Sequence, residues 1–229
     1  MSDVAKNLAL VRGRIAAAEA RSPYHQTVTL VAVTKFHPLH VMAEAAAEGV
    51  TEVGENRVQE MEEKFRDSHL SVRWNLLGHL QKNKIKKAVT MSDLIQSGDS
   101  ISVLEEIDRR AGEIGKVQEV LLEFNISGEA SKHGLDPADF TAVIERVKAL
   151  PHVLVKGFMC MAPHYDDPEK TRPVFRKGHA MWEELKKAFP AGQVSILSMG
   201  MTNDFEIAIE EGANMVRIGT AIFGEREYM

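Results

Sequence analysis

Apolar positions along the chain fall into two rhythms that take turns. Residues 2–21 set Val4, Leu8, Val11 and Ile15 at helical spacing on one face with charges on the other, and Arg21-Ser22-Pro23 ends that helix. Beyond it, short strand-like runs at 28–34, 51–54, 72–78, 94–97, 117–126, 153–161, 194–198 and 214–218 alternate with segments of helical pattern. Strands that alternate with helices pair in parallel, and eight such units favour closure into a barrel over an open sheet. Turn and cap residues agree with this frame. Pro38 sits just inside the helix after the first strand, Asp136-Pro137 reads as N-cap and first turn before a helix over 140–149, and Gly49 and Gly212 stand where helices should stop. The pattern predicts one α/β domain over residues 1–229, a (β/α)8 TIM-type barrel preceded by an N-terminal helix.

A chain of 229 residues suits one such barrel and a large core, so neither disulfide nor structural metal is needed for stability. The single cysteine, Cys160, makes no intrachain bridge, and the start Met1-Ser2-Asp3-Val4-Ala5-Lys6 lacks a secretory pattern, so the expected compartment is the reducing cytoplasm. Charges interrupt every apolar run before it reaches membrane-spanning length. A net charge of −5 argues against a general nucleic-acid binder. The exception is Lys82, Lys84, Lys86 and Lys87, read as a solvated helix face.

In a barrel of this kind the chemistry stands at the carboxyl ends of the strands. Lys35 closes the first apolar run, Val28 through Thr34, which places an amine at that end. Partial desolvation there lowers a lysine from its ordinary value of roughly 10.4 toward the neutral, nucleophilic form that adds to aldehydes. A rim ion pair is the competing reading. Ser198-Met199-Gly200 and Gly219-Thr220 fall after strands seven and eight, where such barrels commonly build a phosphate cup from small residues and hydroxyls. Arg217 shares a side of the strand with Gly219, either as a donor to a ligand or in an interior ion pair with Glu52 or Glu55. An amine, a phosphate cup and a donor together describe a site for a phosphorylated aldehyde, and pyridoxal 5'-phosphate (PLP) meets each requirement.

Five blocks carry a resemblance over nearly the whole chain from residue 30 onward. They are Val31-Ala32-Val33-Thr34-Lys35, Gly54-Glu55-Asn56-Arg57-Val58-Gln59-Glu60, Gly78-His79-Leu80-Gln81-Lys82-Asn83-Lys84, Leu197-Ser198-Met199-Gly200-Met201-Thr202-Asn203-Asp204 and Val216-Arg217-Ile218-Gly219-Thr220-Ala221-Ile222-Phe223-Gly224. In these the chain resembles the pyridoxal-phosphate homeostasis family, itself similar to the N-terminal barrel of alanine racemases without their β-rich second domain. The resemblance implies that Lys35 carries PLP as a Schiff base. It places Ser198, Met199, Gly200, Gly219 and Thr220 around the phosphate and Asn56 and Arg217 near the ring. It also implies a protein that binds and delivers the cofactor, with PLP-accepting apo-enzymes as partners and effects on vitamin B6 and amino-acid pools, and no established turnover. Asn75 departs from the pattern, where histidine is frequent. The loop Ser131-Lys132-His133-Gly134 matches, and Lys132 is a second candidate amine.

Two enzymatic readings compete with a carrier. A racemase would use the same lysine and needs a second base, usually a tyrosine from the extra domain. Tyr24 precedes strand one, Tyr228 lies in the tail, and Tyr165 alone, after strand six, is placed to reach the mouth. A cofactor-free Schiff-base aldolase would use lysine and phosphate cup on a sugar phosphate. No HExxH, paired CxxC or Gly-x-Ser-x-Gly motif occurs, and no metal site is expected. His37, His40, His79, His133, His164 and His179 are dispersed, with His79 singled out by its place after strand three. Residues 163–168 read either as a mobile lid or as a plain exposed turn.

Overall fold

Eight strands pair in chain order, each parallel to the next, and the last returns to the first to close a barrel. They are β1 (Thr29–Val33), β2 (Glu52–Glu55), β3 (Arg73–Leu76), β4 (Leu94–Gly98), β5 (Gln118–Glu123), β6 (Val153–Met159), β7 (Ile196–Ser198) and β8 (Met215–Ile218). The computed structural model describes residues 2–129 and 133–224. Closure is carried by Thr29 through Ala32 lying beside Met215 through Ile218. The expected (β/α)8 barrel with an N-terminal helix is the fold observed.

The helices are α1 (Asp3–Arg21), α2 (Leu39–Ala47), α3 (Val58–Asp67), α4 (Ile85–Met91), α5 (Ile101–Glu113), α6 (Phe140–Lys148), α7 (Arg172–Lys187), α8 (Phe205–Glu210) and α9 (Thr220–Phe223). Helix α1 starts because the Ser2 hydroxyl accepts from the Ala5 amide at 3.3 Å, with Asp3 in the first turn and Arg21 in the last, both favourable to the helix dipole. Its buried stripe of Val4, Leu8, Val11 and Ile15 packs beside α2, α8 and α9. Leu8 is fully enclosed, so truncating it to alanine would cost about 2 to 5 kcal/mol. Among the described residues no helix is long and apolar enough to cross a membrane.

Two hydrophobic layers hold the barrel. The larger lies between strands and helices, where Phe158, Phe175, Phe205, Met42 and Leu104 are fully buried. The smaller fills the barrel interior with Val31, Leu94, Leu121, Met159 and Met215. Beside it lies a polar group of inward-facing side chains, Asn75, Gln96, Ser198 and Arg217, each 5% exposed or less. Polar groups at that depth are tolerated only when hydrogen-bonded, and these are bonded to one another.

The strand limits are narrower than the apolar runs. The first strand ends at Val33, so Lys35 belongs to the turn that follows and not to the strand. Thr34 still donates its amide to the Gly54 carbonyl at 3.0 Å, but its own carbonyl accepts from the His37 amide at 3.0 Å, which bends the chain out of the ladder. Pro38 is the N-cap of α2 and lies just outside the helix, with its carbonyl accepting from the Val41 amide at 3.1 Å. Gly49 and Gly212 end their helices at φ of +80° and +96°, as expected of left-handed stops. Asp136 caps the turn before α6 through its side chain, which accepts from the Ala138 amide at 2.8 Å.

Candidate functional site

A cavity of about 320 Å3 opens where β1, β6 and β8 end, and Lys35, Asn56, Arg217, Gly219 and Thr220 all line it. That volume lies in the range of small-ligand sites. Lys35 is half-buried in its wall. The turn from Thr34 to His37 holds it there, with Phe36 at φ +66°, a left-handed value uncommon for an aromatic residue.

A buried ion cluster pins that turn from beneath. Lys64 on α3 is 6% exposed, and its ammonium donates to the Thr34 carbonyl at 2.7 Å, to Glu55 Oε1 at 2.6 Å and to Glu60 Oε1 at 3.0 Å. The Thr34 hydroxyl donates to Glu55 Oε1 at 2.5 Å, and the Phe36 amide donates to Glu60 Oε1. The two residues flanking Lys35 are thus both tied to this cluster. Burial pushes the Glu55 carboxyl above its ordinary range, and the Lys64 ammonium is the largest influence pulling it back. Lys64 is the charge partner of Glu55 in this cluster.

Arg217 is positioned by a second chain of polar groups running across the barrel. Asn75 Nδ2 donates to Glu52 Oε2 at 2.8 Å, Gln96 Nε2 donates to Asn75 Oδ1 at 2.9 Å, and the Ser198 hydroxyl donates to Gln96 Oε1 at 2.7 Å. Arg217 Nη1 donates to the Ser198 oxygen at 2.5 Å and Nη2 to the Cys160 carbonyl at 3.0 Å. The alternative of an ion pair between Arg217 and Glu52 or Glu55 is not formed, because Glu52 is engaged by Asn75 and Arg73 and Glu55 by Lys64. Asn75, the position that departs from the family pattern, has a defined place as the link between β2 and β4. Burial lowers the Arg217 guanidinium from its usual value, yet arginine stays protonated at any accessible pH.

The loop after β7 meets the cavity further along than expected. Met201, Thr202, Asn203 and Asp204 line it, together with Gly219 and Thr220 after β8, while Ser198, Met199 and Gly200 stand behind that wall. The Ser198 hydroxyl is committed to Arg217 and Gln96, and the Met199 side chain is fully buried in the core beside Cys160. Gly200 turns the chain at φ +93°, where a β-carbon would stand 2.6 Å from the Ala208 methyl carbon. The two loops meet where the Ala221 amide points to the Thr202 hydroxyl at 3.5 Å. Asp204 closes its own loop, accepting from the Met201 amide at 2.7 Å, and burial raises its carboxyl.

Four of the histidines, dispersed in sequence, stand at the ends of strands around the mouth. His37 and His164 line the cavity, and His79 and His133 stack on each other with centroids 3.8 Å apart. The segment 163–168 contributes Pro163, His164, Tyr165 and Pro168 to the wall. Tyr165 is therefore the tyrosine at the cavity among the described residues, while Tyr24 stacks on His179 of α7. Ser131, Lys132 and Tyr228 lie outside the described residues. The lysines at 82, 86 and 87 are exposed, as a solvated face requires, and Lys87 pairs with Glu62 at 2.7 Å. Lys64, Glu60, Gln96 and Asp204 were not anticipated from sequence. The readable signals were a lysine three residues after Met61 on the buried stripe of α3, and a glutamine inside the apolar run 94–97.

Comparison with known proteins agrees with this geometry. Residues 7–227 match the family model of the alanine racemase N-terminal domain. A pyridoxal phosphate homeostasis protein of Aquifex aeolicus is 41% identical over 200 residues, covering 87% of each chain, and that of Escherichia coli K12 is 36% identical over 236 residues, covering 100% of this chain and 99% of its own. The solved structure of PipY from Synechococcus elongatus PCC7942 with PLP bound is 36% identical and superposes with a TM-score of 0.84, covering 96% of this chain and all of that one. The chain belongs to the alanine racemase N-terminal domain family and, within it, to the pyridoxal phosphate homeostasis proteins.

Proposed function

We propose that this protein binds PLP in the mouth cavity, holds it covalently on Lys35 and surrenders it to PLP-requiring apo-enzymes, acting as a carrier in vitamin B6 homeostasis. The observation that carries this reading is Lys35 in the wall of a 320 Å3 cavity, on a turn whose flanking residues are both fixed by the Lys64 cluster. PLP supplies an aldehyde to which an amine adds. Lys35 provides the amine, and Thr202, Gly219 and Thr220 offer the phosphate two hydroxyls and a close approach of backbone. Ser198, Met199 and Gly200 act one step behind, by orienting Arg217 and shaping the loop that receives the phosphate. Asn56 and Arg217 face the ring. The names of the relatives and the PLP-bound PipY support the cofactor.

Tyr165 and His164 in the same wall favour a second reading, a racemase that draws both bases from one chain. The two separate in one experiment. The PLP-loaded protein is mixed with a stripped PLP-dependent aminotransferase and, separately, with L-alanine in deuterium oxide. A carrier restores the aminotransferase and leaves the alanine α-proton unexchanged. Exchange that Tyr165→Phe abolishes would establish a racemase, and failure to take up PLP at all would remove both readings and leave the aldolase.

A further inference from the structure

On the β3–β5 side of the barrel mouth stands a group of side chains that the cofactor cavity does not use. His79 follows β3, Asp99 follows β4 and His133 follows β5, and one donor atom from each lies within 4.8 Å of the other two. We propose that these three residues bind a divalent first-row transition ion, with Zn2+ the expected occupant.

Asp99 carries the argument. It is 5% exposed, its Oδ2 lies 2.5 Å from His79 Nδ1, and its Oδ1 is buried without a hydrogen-bond partner among the described residues. A buried carboxylate oxygen left without a partner is costly, and His79 satisfies only the other oxygen. A simple imidazole–carboxylate pair therefore explains half of the group, and it gives His133 no role. A cation bound by Asp99 and both histidines explains all three.

The donor set selects the ion. Two imidazoles and one carboxylate are borderline ligands that suit Zn2+ and its neighbours, whereas Mg2+ and Ca2+ prefer oxygen alone. Bonds of about 2.1 Å in a tetrahedron place donors about 3.4 Å apart, so atoms already within 4.8 Å need only side-chain adjustment. Both histidines are exposed, while the carboxylate is buried. Their rings stack nearly parallel, 8° apart, so the two imidazoles already stand side by side. Three protein ligands leave a fourth position for water or an anionic group at the mouth. None of the three residues lines the Lys35 cavity, so the inference stands apart from the cofactor reading.

The full chain, stripped with chelator and dialysed, is titrated with Zn2+ by calorimetry and with Co2+ by visible absorption. The wild type takes up one equivalent of Zn2+ and shows the strong visible bands of low-coordinate Co2+. His79→Ala and His133→Ala each weaken binding at least tenfold and bleach those bands, with folding of both exposed-site variants confirmed by circular dichroism. No saturable uptake by the wild type, or uptake unchanged in either variant, overturns the proposal.

Discussion

The Lys64 ammonium donates to the carbonyl oxygen of Thr34 at 2.7 Å, which fastens the chain one residue before Lys35. The same ammonium lies 2.6 Å from Glu55 at the end of the neighbouring strand, so β1, β2 and α3 meet at one buried charge. Buried ion pairs are weak evidence for stability, because removing two charges from water offsets their attraction. Their use here is geometric: the cluster fixes the direction in which Lys35 leaves the barrel.

Lys64→Met leaves Glu55 fully buried without its cation. The expected loss is about 3 kcal/mol, a fall in Tm of roughly 6 to 12 °C for a chain of this size. Adding Glu55→Gln recovers part of that loss, because the stranded charge is gone. Thermal scans of the three proteins check it, and a Lys64→Met variant as stable as wild type would show that the cluster is not held ionised.

Stability should fall between mild acid and pH 8. Burial first, and the nearby Asp99 charge second, push the Glu123 carboxyl up to about 8, with Arg217 pulling it down. The folded chain thus keeps a proton that the unfolded chain loses near its ordinary value of about 4.3. The stabilisation is complete below that ordinary value and is lost as pH climbs through 8. Glu123→Gln should flatten the dependence of Tm on pH from 5 to 8 and raise Tm at pH 8. Parallel slopes for both proteins would place the titration elsewhere.

Arg217→Met removes donors to Ser198 and the Cys160 carbonyl while Lys35 remains. In the proposed complex Arg217 also faces the ring, and a hydrogen bond from a charged donor contributes about 1.5 to 3 kcal/mol, so PLP affinity should fall tenfold or more with covalent attachment preserved. Absorbance titration of the stripped variant measures this, and unchanged affinity would mean that Arg217 serves the barrel alone.

Gly200→Ala forces a side chain into a left-handed turn and against Ala208 and Phe205. A cost of about 1 to 3 kcal/mol is expected, together with weaker PLP binding as the loop 201–204 shifts. Thermal melts with and without PLP report both effects, and a variant unchanged in each would show that the turn relaxes freely.

The barrel was legible because eight apolar runs alternate with helical ones, a pattern set by burial that each strand carries within itself. The place of Lys35 at the end of the first run is legible for the same reason, though the turn that holds it is not, since Phe36 gives no sign of a positive φ. The glycines and hydroxyls after β7 and β8 mark in sequence the two loops proposed here to receive the phosphate. Which side chains turn into the cavity depends on contacts across the barrel, so the sequence places Ser198 beside a ligand while its hydroxyl bonds to Arg217 and Gln96. Lys64 reads in sequence as an ordinary pair with Glu60 four residues before it, and only the stripe shared with Val58 and Met61 marks it as buried. The meeting of His79, Asp99 and His133 joins three separate strand ends, a long-range relation that local spacing does not carry.

Covalent attachment of PLP to Lys35 is read out by borohydride reduction of the PLP-loaded protein followed by peptide mass mapping. A single reduced adduct on the peptide containing Lys35, absent from Lys35→Ala while that variant keeps its circular dichroism spectrum, is the predicted result. An adduct on another lysine, or none from a protein saturated with PLP, would contradict the account.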